Sequence, residues 1–170
     1  MSALTPATGM ISVAEFVGRG LVKLGATRCF GVVGSGNFEV TNAVKRAGGT
    51  FVAARHENGA AMMADGFARM SGEVALLTVH QGCGLTNAGT GICEAAKSRT
   101  PLIILAAESP AFQVNSNFAM DQAGFARSVG AAAERIHGQA SAARDLVRAW
   151  RTARNQHRTV VLNLPLDVQA

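Results

Sequence analysis

Three ionisable residues in a row, Arg55, His56 and Glu57, interrupt the string FVAARHENGAAMMADGFARMSG at residues 51–72. An apolar run precedes them and a helix of small residues follows. Glu57 therefore falls where a strand's end and a helix's start would enclose a carboxylate. A carboxylate held there can share or move a proton; the plain alternative is an acidic residue favoured by the positive end of the helix dipole. A second candidate lies in HQGCGLTN, residues 80–87, where His80 precedes two glycines at a place where backbone must approach something closely. A histidine suits proton transfer near neutral pH; the plain alternative is a strand-end histidine bonded to backbone. The string GSGNFE at 34–39 invites a dinucleotide reading, with Glu57 about 20 residues on as the ribose-binding acid. Glu39, however, stands where the third glycine belongs and would set negative charge near a diphosphate. No GxxxxGK[ST] phosphate loop occurs, and His56, His80, His137 and His157 are too dispersed to suggest a metal cluster.

The elements that must position these residues alternate. Residues 11–26 carry apolar side chains at helical spacing, with Ser12 as a cap, Glu15 three residues on and Gly25 placed to end the helix. Short apolar runs at 29–33, 50–54, 73–80, 101–107 and 159–165 read as strands, with helical patterns between them. A polar connection follows from 108 to 122, with a weak patch to about 135. Strands that are apolar along their whole length indicate a parallel sheet covered on both faces. The expected fold is α/β, a three-layer α/β/α arrangement around a mainly parallel sheet of about six strands. Ligands of such sheets bind beyond the carboxyl ends of the strands. The glycine-rich or ionisable seams at 34–37, 55–57, 80–87 and 107–122 all fall there.

The 170 residues, 48% hydrophobic and 16% charged, suit one folded domain. A net charge of +5 owes much to arginines between 135 and 158, with no aromatic platform or recognised motif beside them, so nucleic acid is not expected. Three cysteines make an odd count without metal spacing, which argues against a disulfide framework. The first ten residues lack the regions of a signal peptide, and the longest apolar stretch, PLIILAA, is far short of a membrane helix. The expectation is a cytoplasmic protein with a flexible terminus over 1–10 and one domain over 11–170.

The strings FGVVGSGN, RHENGAAMMADGFARMSG, GCGLTNAGTGI, SRTPLIILAAESP and VVLNLPLDV occur in an order that resembles the N-terminal pyrimidine-binding domain of thiamine diphosphate enzymes. The resemblance is to the acetolactate synthase, pyruvate oxidase and benzoylformate decarboxylase superfamily and runs from about residue 11 to 169. It implies that Glu57 hydrogen-bonds N1′ of the cofactor's aminopyrimidine. A proton shared there favours the imino form of the neighbouring amino group, which then removes the weakly acidic C2 proton of the thiazolium ring. The cofactor performs the covalent chemistry and the protein activates it.

By the same resemblance Gly34, Ser35, Gly36 and Asn37 correspond to a substrate loop, with Val33 in place of the usual proline and Ser35 in place of a glycine. Gln81, Gly82, Cys83 and Asn87 belong to the cofactor-binding turn, where Cys83 replaces a proline. His80 falls where the benzoylformate decarboxylase branch has a proton-transferring histidine, and Gln122 where many carboligases have an active-site glutamine. The family holds the diphosphate through magnesium on a second domain with a GDG motif, which this sequence lacks. The implied function is the pyrimidine-binding half of a 2-oxo acid decarboxylase or carboligase, completed by a diphosphate-binding domain or subunit in a homo- or hetero-oligomer. The rival readings are a non-catalytic thiamine diphosphate-like module and a Rossmann-type nucleotide-binding domain.

Overall fold

The structure is a computed structural model and describes residues 10–170. The terminus expected to be flexible, 1–10, thus falls almost wholly outside the described residues. Helix α1 (Val13–Lys23) begins where the Ser12 hydroxyl oxygen accepts a hydrogen bond from the Glu15 amide at 3.1 Å, the cap that the sequence predicts. The chain leaves it through Gly25 at φ +108°, a backbone that side chains resist.

Strands β1 (Arg28–Gly31), β2 (Thr50–Ala53), β3 (Ala75–Val79), β4 (Leu102–Glu108), β5 (Ala132–Arg135) and β6 (Thr159–Pro165) pair in the order β2-β1-β3-β4-β6-β5. Every pairing is parallel. Successive side chains of a strand point to opposite faces, and the core divides accordingly. Leu76, Ile103 and Leu105 pack with α1, α2 (Phe38–Arg46) and α7 (Ala142–Gln156). Leu77, Ile104 and Ala106 pack with α3 (Glu57–Ser71), α5 (Gly89–Lys97) and α6 (Gln122–Ser128). Both faces are covered, so the expected three layers are present. No helix among the described residues is long and apolar enough to cross a membrane.

The order reverses between β1 and β3: the chain passes from β1 outward to β2, then returns to β3 on the other side. That reversal opens a crevice at the carboxyl ends, flanked by 32–37 and 80–82. Four features differ from the sequence reading. The weak patch near 135 is the edge strand β5, whose residues AAER are only half-buried and lack the apolar run that marks its neighbours. A short helix α4 (Cys83–Asn87) precedes α5, and α8 (Leu166–Gln169) ends the chain with Gln169 buried. The basic segment is also more than a solvated helix face, because Arg148 bonds Glu134 at 2.6 Å and Asp145 at 3.0 Å.

Asp145 is 1% exposed and fastens α7 to the turn before it. Its carboxylate accepts from the His137 amide at 3.0 Å, the Ser141 hydroxyl at 2.7 Å and Arg148. Burial works against its charge, yet these donors, the His137 amide foremost, hold the carboxyl well below the usual carboxylate range. A depressed folded value stabilises the protein fully above the unfolded carboxylate range, near pH ~4, and the contribution is lost as pH falls further. Asp145→Asn should therefore lower stability at neutral pH by about 3 kcal/mol. It should also flatten the loss of stability below about pH 4 in denaturant titrations followed by circular dichroism; an unaltered acid limb would deny Asp145 this role.

Candidate functional site

Two glycine-bearing loops meet at the crevice with no room for side chains. A Cβ on Gly34 would lie 2.6 Å from the His80 ring, and one on Gly36 would overlap the Gln81 side-chain oxygen. Asn37 locks the first loop from beneath. It is fully buried; its Oδ1 accepts from the Gly34 amide at 2.8 Å and its Nδ2 donates to the Val32 carbonyl and the Thr78 hydroxyl. The Gly34 amide, the donor a diphosphate would need in the dinucleotide reading, is thus already engaged by Asn37.

On the facing loop, His80 follows β3 and is half-buried. Its Nδ1 lies 3.2 Å from the Gln81 carbonyl. A carbonyl only accepts, so this bond places a proton on Nδ1, and in the neutral ring Nε2 is then the acceptor. The Ser35 hydroxyl stands 3.4 Å from that nitrogen, and the Phe118 ring packs edge-on against the imidazole at 4.8 Å between centroids. Gly82 adopts φ +61°, and a Cβ there would come within 2.7 Å of the Phe118 carbonyl. The turn and the 109–121 strap therefore fit each other only through a glycine.

Glu57 opens α3, one residue beyond the cap His56, whose Nδ1 accepts from the Asn58 amide at 3.1 Å. Its carboxylate is half-buried, and Oε2 accepts from Asn87 Nδ2 at 3.1 Å. Gly84 stands between the two titratable residues: a Cβ there would lie 3.0 Å from the His80 Cβ and 3.6 Å from Glu57 Oε1. The glycine keeps open the space in front of Oε1. A carboxylate with one oxygen held by Asn87 and the other beside a glycine is the donor–acceptor chemistry that a ring nitrogen requires, so these residues fit an aminopyrimidine.

Gln122 is brought to the same rim but is wholly occupied. It is 2% exposed; its Oε1 accepts from the Gly82 amide at 2.9 Å, and its Nε2 donates to Ala107 and Asn163 at 3.0 and 2.8 Å. Cys83 and Asn87 lie exposed on α4. Sequence reasoning missed Phe118, Asn163 and Gln169. Gln169 donates to the Gly36 carbonyl at 3.2 Å and so ties α8 to the crevice loop. Asn163 had a signal, a lone amide inside an apolar strand, because such a group must find partners when buried. Phe118 and Gln169 had none.

The family described as "Thiamine pyrophosphate enzyme, N-terminal TPP binding domain" matches residues 11–130. Among relatives, the acetolactate synthase isozyme 3 large subunit of Escherichia coli (strain K12) is 33% identical over 163 residues, 94% of this chain and 28% of that one. The sulfoacetaldehyde acetyltransferase of Rhodobacter capsulatus is 30% identical, over 87% of this chain and 25% of its own length. A probable 2-ketoarginine decarboxylase of Pseudomonas aeruginosa is 37% identical over 52% of this chain and 16% of its own. The chain thus spans about a quarter of the length of the first two. The matched stretch contains the crevice loops, Glu57 and the Gly82 turn, and on it the chain belongs to the thiamine pyrophosphate enzyme family, as an N-terminal TPP-binding domain.

Proposed function

We propose that residues 11–170 form the aminopyrimidine-binding half of a thiamine diphosphate-dependent 2-oxo acid decarboxylase or carboligase of the acetolactate synthase kind. One observation carries the reading: a carboxylate at a helix start on the sheet rim, with Asn87 on one oxygen and the side-chain-free Gly84 before the other. Bound thiamine diphosphate supplies the carbon nucleophile that attacks the substrate's carbonyl. Glu57 Oε1 shares a proton with the aminopyrimidine's N1′, and Asn87 keeps the carboxyl group from turning. Gln81, Gly82 and Cys83 shape the backbone near the ring, and Gln122 positions that turn through the Gly82 amide. Gly34, Ser35, Gly36 and Asn37 form the substrate's side of the crevice. His80 Nε2, with Nδ1 anchored on a carbonyl, gives or takes protons at the substrate.

The diphosphate and its magnesium ion belong, in this proposal, to a second domain or subunit docked across the rim that bears Glu57, in a homo- or hetero-oligomer. Magnesium is needed there because the adjacent anionic groups otherwise repel. The relatives' names span acetolactate, sulfoacetaldehyde and 2-ketoarginine chemistry, which supports a small 2-oxo acid or aldehyde as the substrate.

In the assembled enzyme Glu57→Gln should keep the fold and lose at least about 100-fold in turnover; unchanged turnover would remove it from the mechanism. His80→Ala should slow a proton-transfer step at the substrate, and single-turnover rates at the parental value would leave it a backbone-bonded strand-end residue. Isothermal calorimetry of the 170-residue chain with thiamine diphosphate and magnesium should show only weak binding, and micromolar affinity without a diphosphate-binding partner would overturn the division of labour.

A further inference from the structure

Beyond Gln122 and Phe118 lies a cavity of about 390 Å³, bounded by β4, the 109–121 strap and β5. It is large enough for a small organic molecule. Its wall contains a carboxylate that the chemistry above does not use. Glu108 ends β4 with its side chain 17% exposed; Arg135 on β5 holds Oε1 at 3.1 Å. Glu108 Oε2 and the Ser109 hydroxyl are both buried and meet no hydrogen-bond partner among the described residues. Two buried oxygens in this condition are costly unless a donor reaches them.

Arg135 on β5 is in contact with Glu108, and the charged groups near enough to act on it through space include Asp167 on α8, His137 just beyond β5 and Asp121 at the start of α6. With Glu108 itself, this makes three carboxylates against one guanidinium and one imidazole. The balance is negative even with His137 charged, on a chain whose net charge is +5. The rest of the wall mixes the apolar side chains of Val114, Phe118 and Met120 with the amides of Gln113 and Gln122, the latter already engaged by Gly82, Ala107 and Asn163. Unsatisfied acceptors next to apolar side chains, where carboxylates outnumber cations, suit a cation that carries N–H donors on a short hydrocarbon stem.

We propose that this cavity is a subsite for a guanidinium or ammonium group on a short apolar stem, bound through Glu108 Oε2 and the Ser109 hydroxyl. Burial raises the Glu108 carboxyl above its ordinary value, with Arg135 pulling the other way and Asp167 adding to the rise; a cation beside Oε2 would offset that burial. Phe118 joins the two regions, since it lines the cavity and packs on His80. Service as a substrate side-chain subsite rests on the thiamine diphosphate reading; binding of the cation does not.

The test is an NMR titration of the full chain with n-propylguanidinium and with its neutral isostere n-propylurea, free of thiamine diphosphate and of any partner domain. The expected result is saturable shifts confined to 108–122 and the surroundings of Arg135, with propylurea at least about ten-fold weaker. Glu108→Gln should weaken the cation at least about ten-fold and leave propylurea as it was. Equal affinity for the two probes, saturable shifts elsewhere only, no saturable shift, or a folded Glu108→Gln that binds the cation like the parent would each overturn the subsite. Should Glu108→Gln fail to fold, the guanidinium-against-urea comparison on the parent chain decides alone.

Discussion

Contact between the loop after β1 and the loop after β3, closer than any Cβ would allow, is the constraint on which the rest of the site depends. Gly36 lies against the Gln81 side chain and Gly34 against the His80 ring. With side chains there, the two loops would separate and the crevice between them would lose its shape. Parallel pairing makes this the natural place for a ligand, because all six strands release their loops at one rim and the strand order reverses between β1 and β3. Glu57 reaches the same rim from the edge strand β2, and Gly84 brings it beside His80 without filling the space between them.

Behind this rim, two buried amides of the scaffold have every polar atom engaged, whereas Glu57 and His80 are held less completely. Asn37 and Gln122 are buried amides whose oxygens and nitrogens are taken by backbone and neighbouring side chains. Such groups hold geometry; each lost partner would strand a buried donor or acceptor at a cost of about 1–3 kcal/mol. Glu57 and His80, by contrast, are half-buried; Asn87 holds only the Oε2 side of Glu57, and His80 Nε2 meets only the Ser35 hydroxyl at 3.4 Å. That contrast separates positioning residues from those free to act on a ligand.

The sequence made the layers, the parallel sheet and the position of Glu57 readable because each rests on a local signal. Wholly apolar strands, helical spacing and a charge at a strand–helix seam are all visible in short windows. What escaped detection depends on distant partners. The residues AAER become β5 only because β6 offers a free edge. Phe118 belongs to a strap without periodicity and acquires its place from His80 and Gly82. Glu108 fell in the polar connection of 108–122, and its pairing with Arg135 across the rim has no sequence signature. Gln122 was legible as a residue of the site but not as a fastener, since that distinction lies in which atoms its amide already meets.

In the proposed enzyme, Glu57 meets the pyrimidine ring of thiamine diphosphate. A crystal structure of the chain with a diphosphate-binding partner, thiamine diphosphate and magnesium tests it most directly. The account predicts the ring's N1′ within hydrogen-bond distance of the Glu57 carboxylate, about 2.6–3.2 Å, with the ring seated over Gly84. A ring bound elsewhere, with the Glu57 carboxylate turned to solvent, would contradict it.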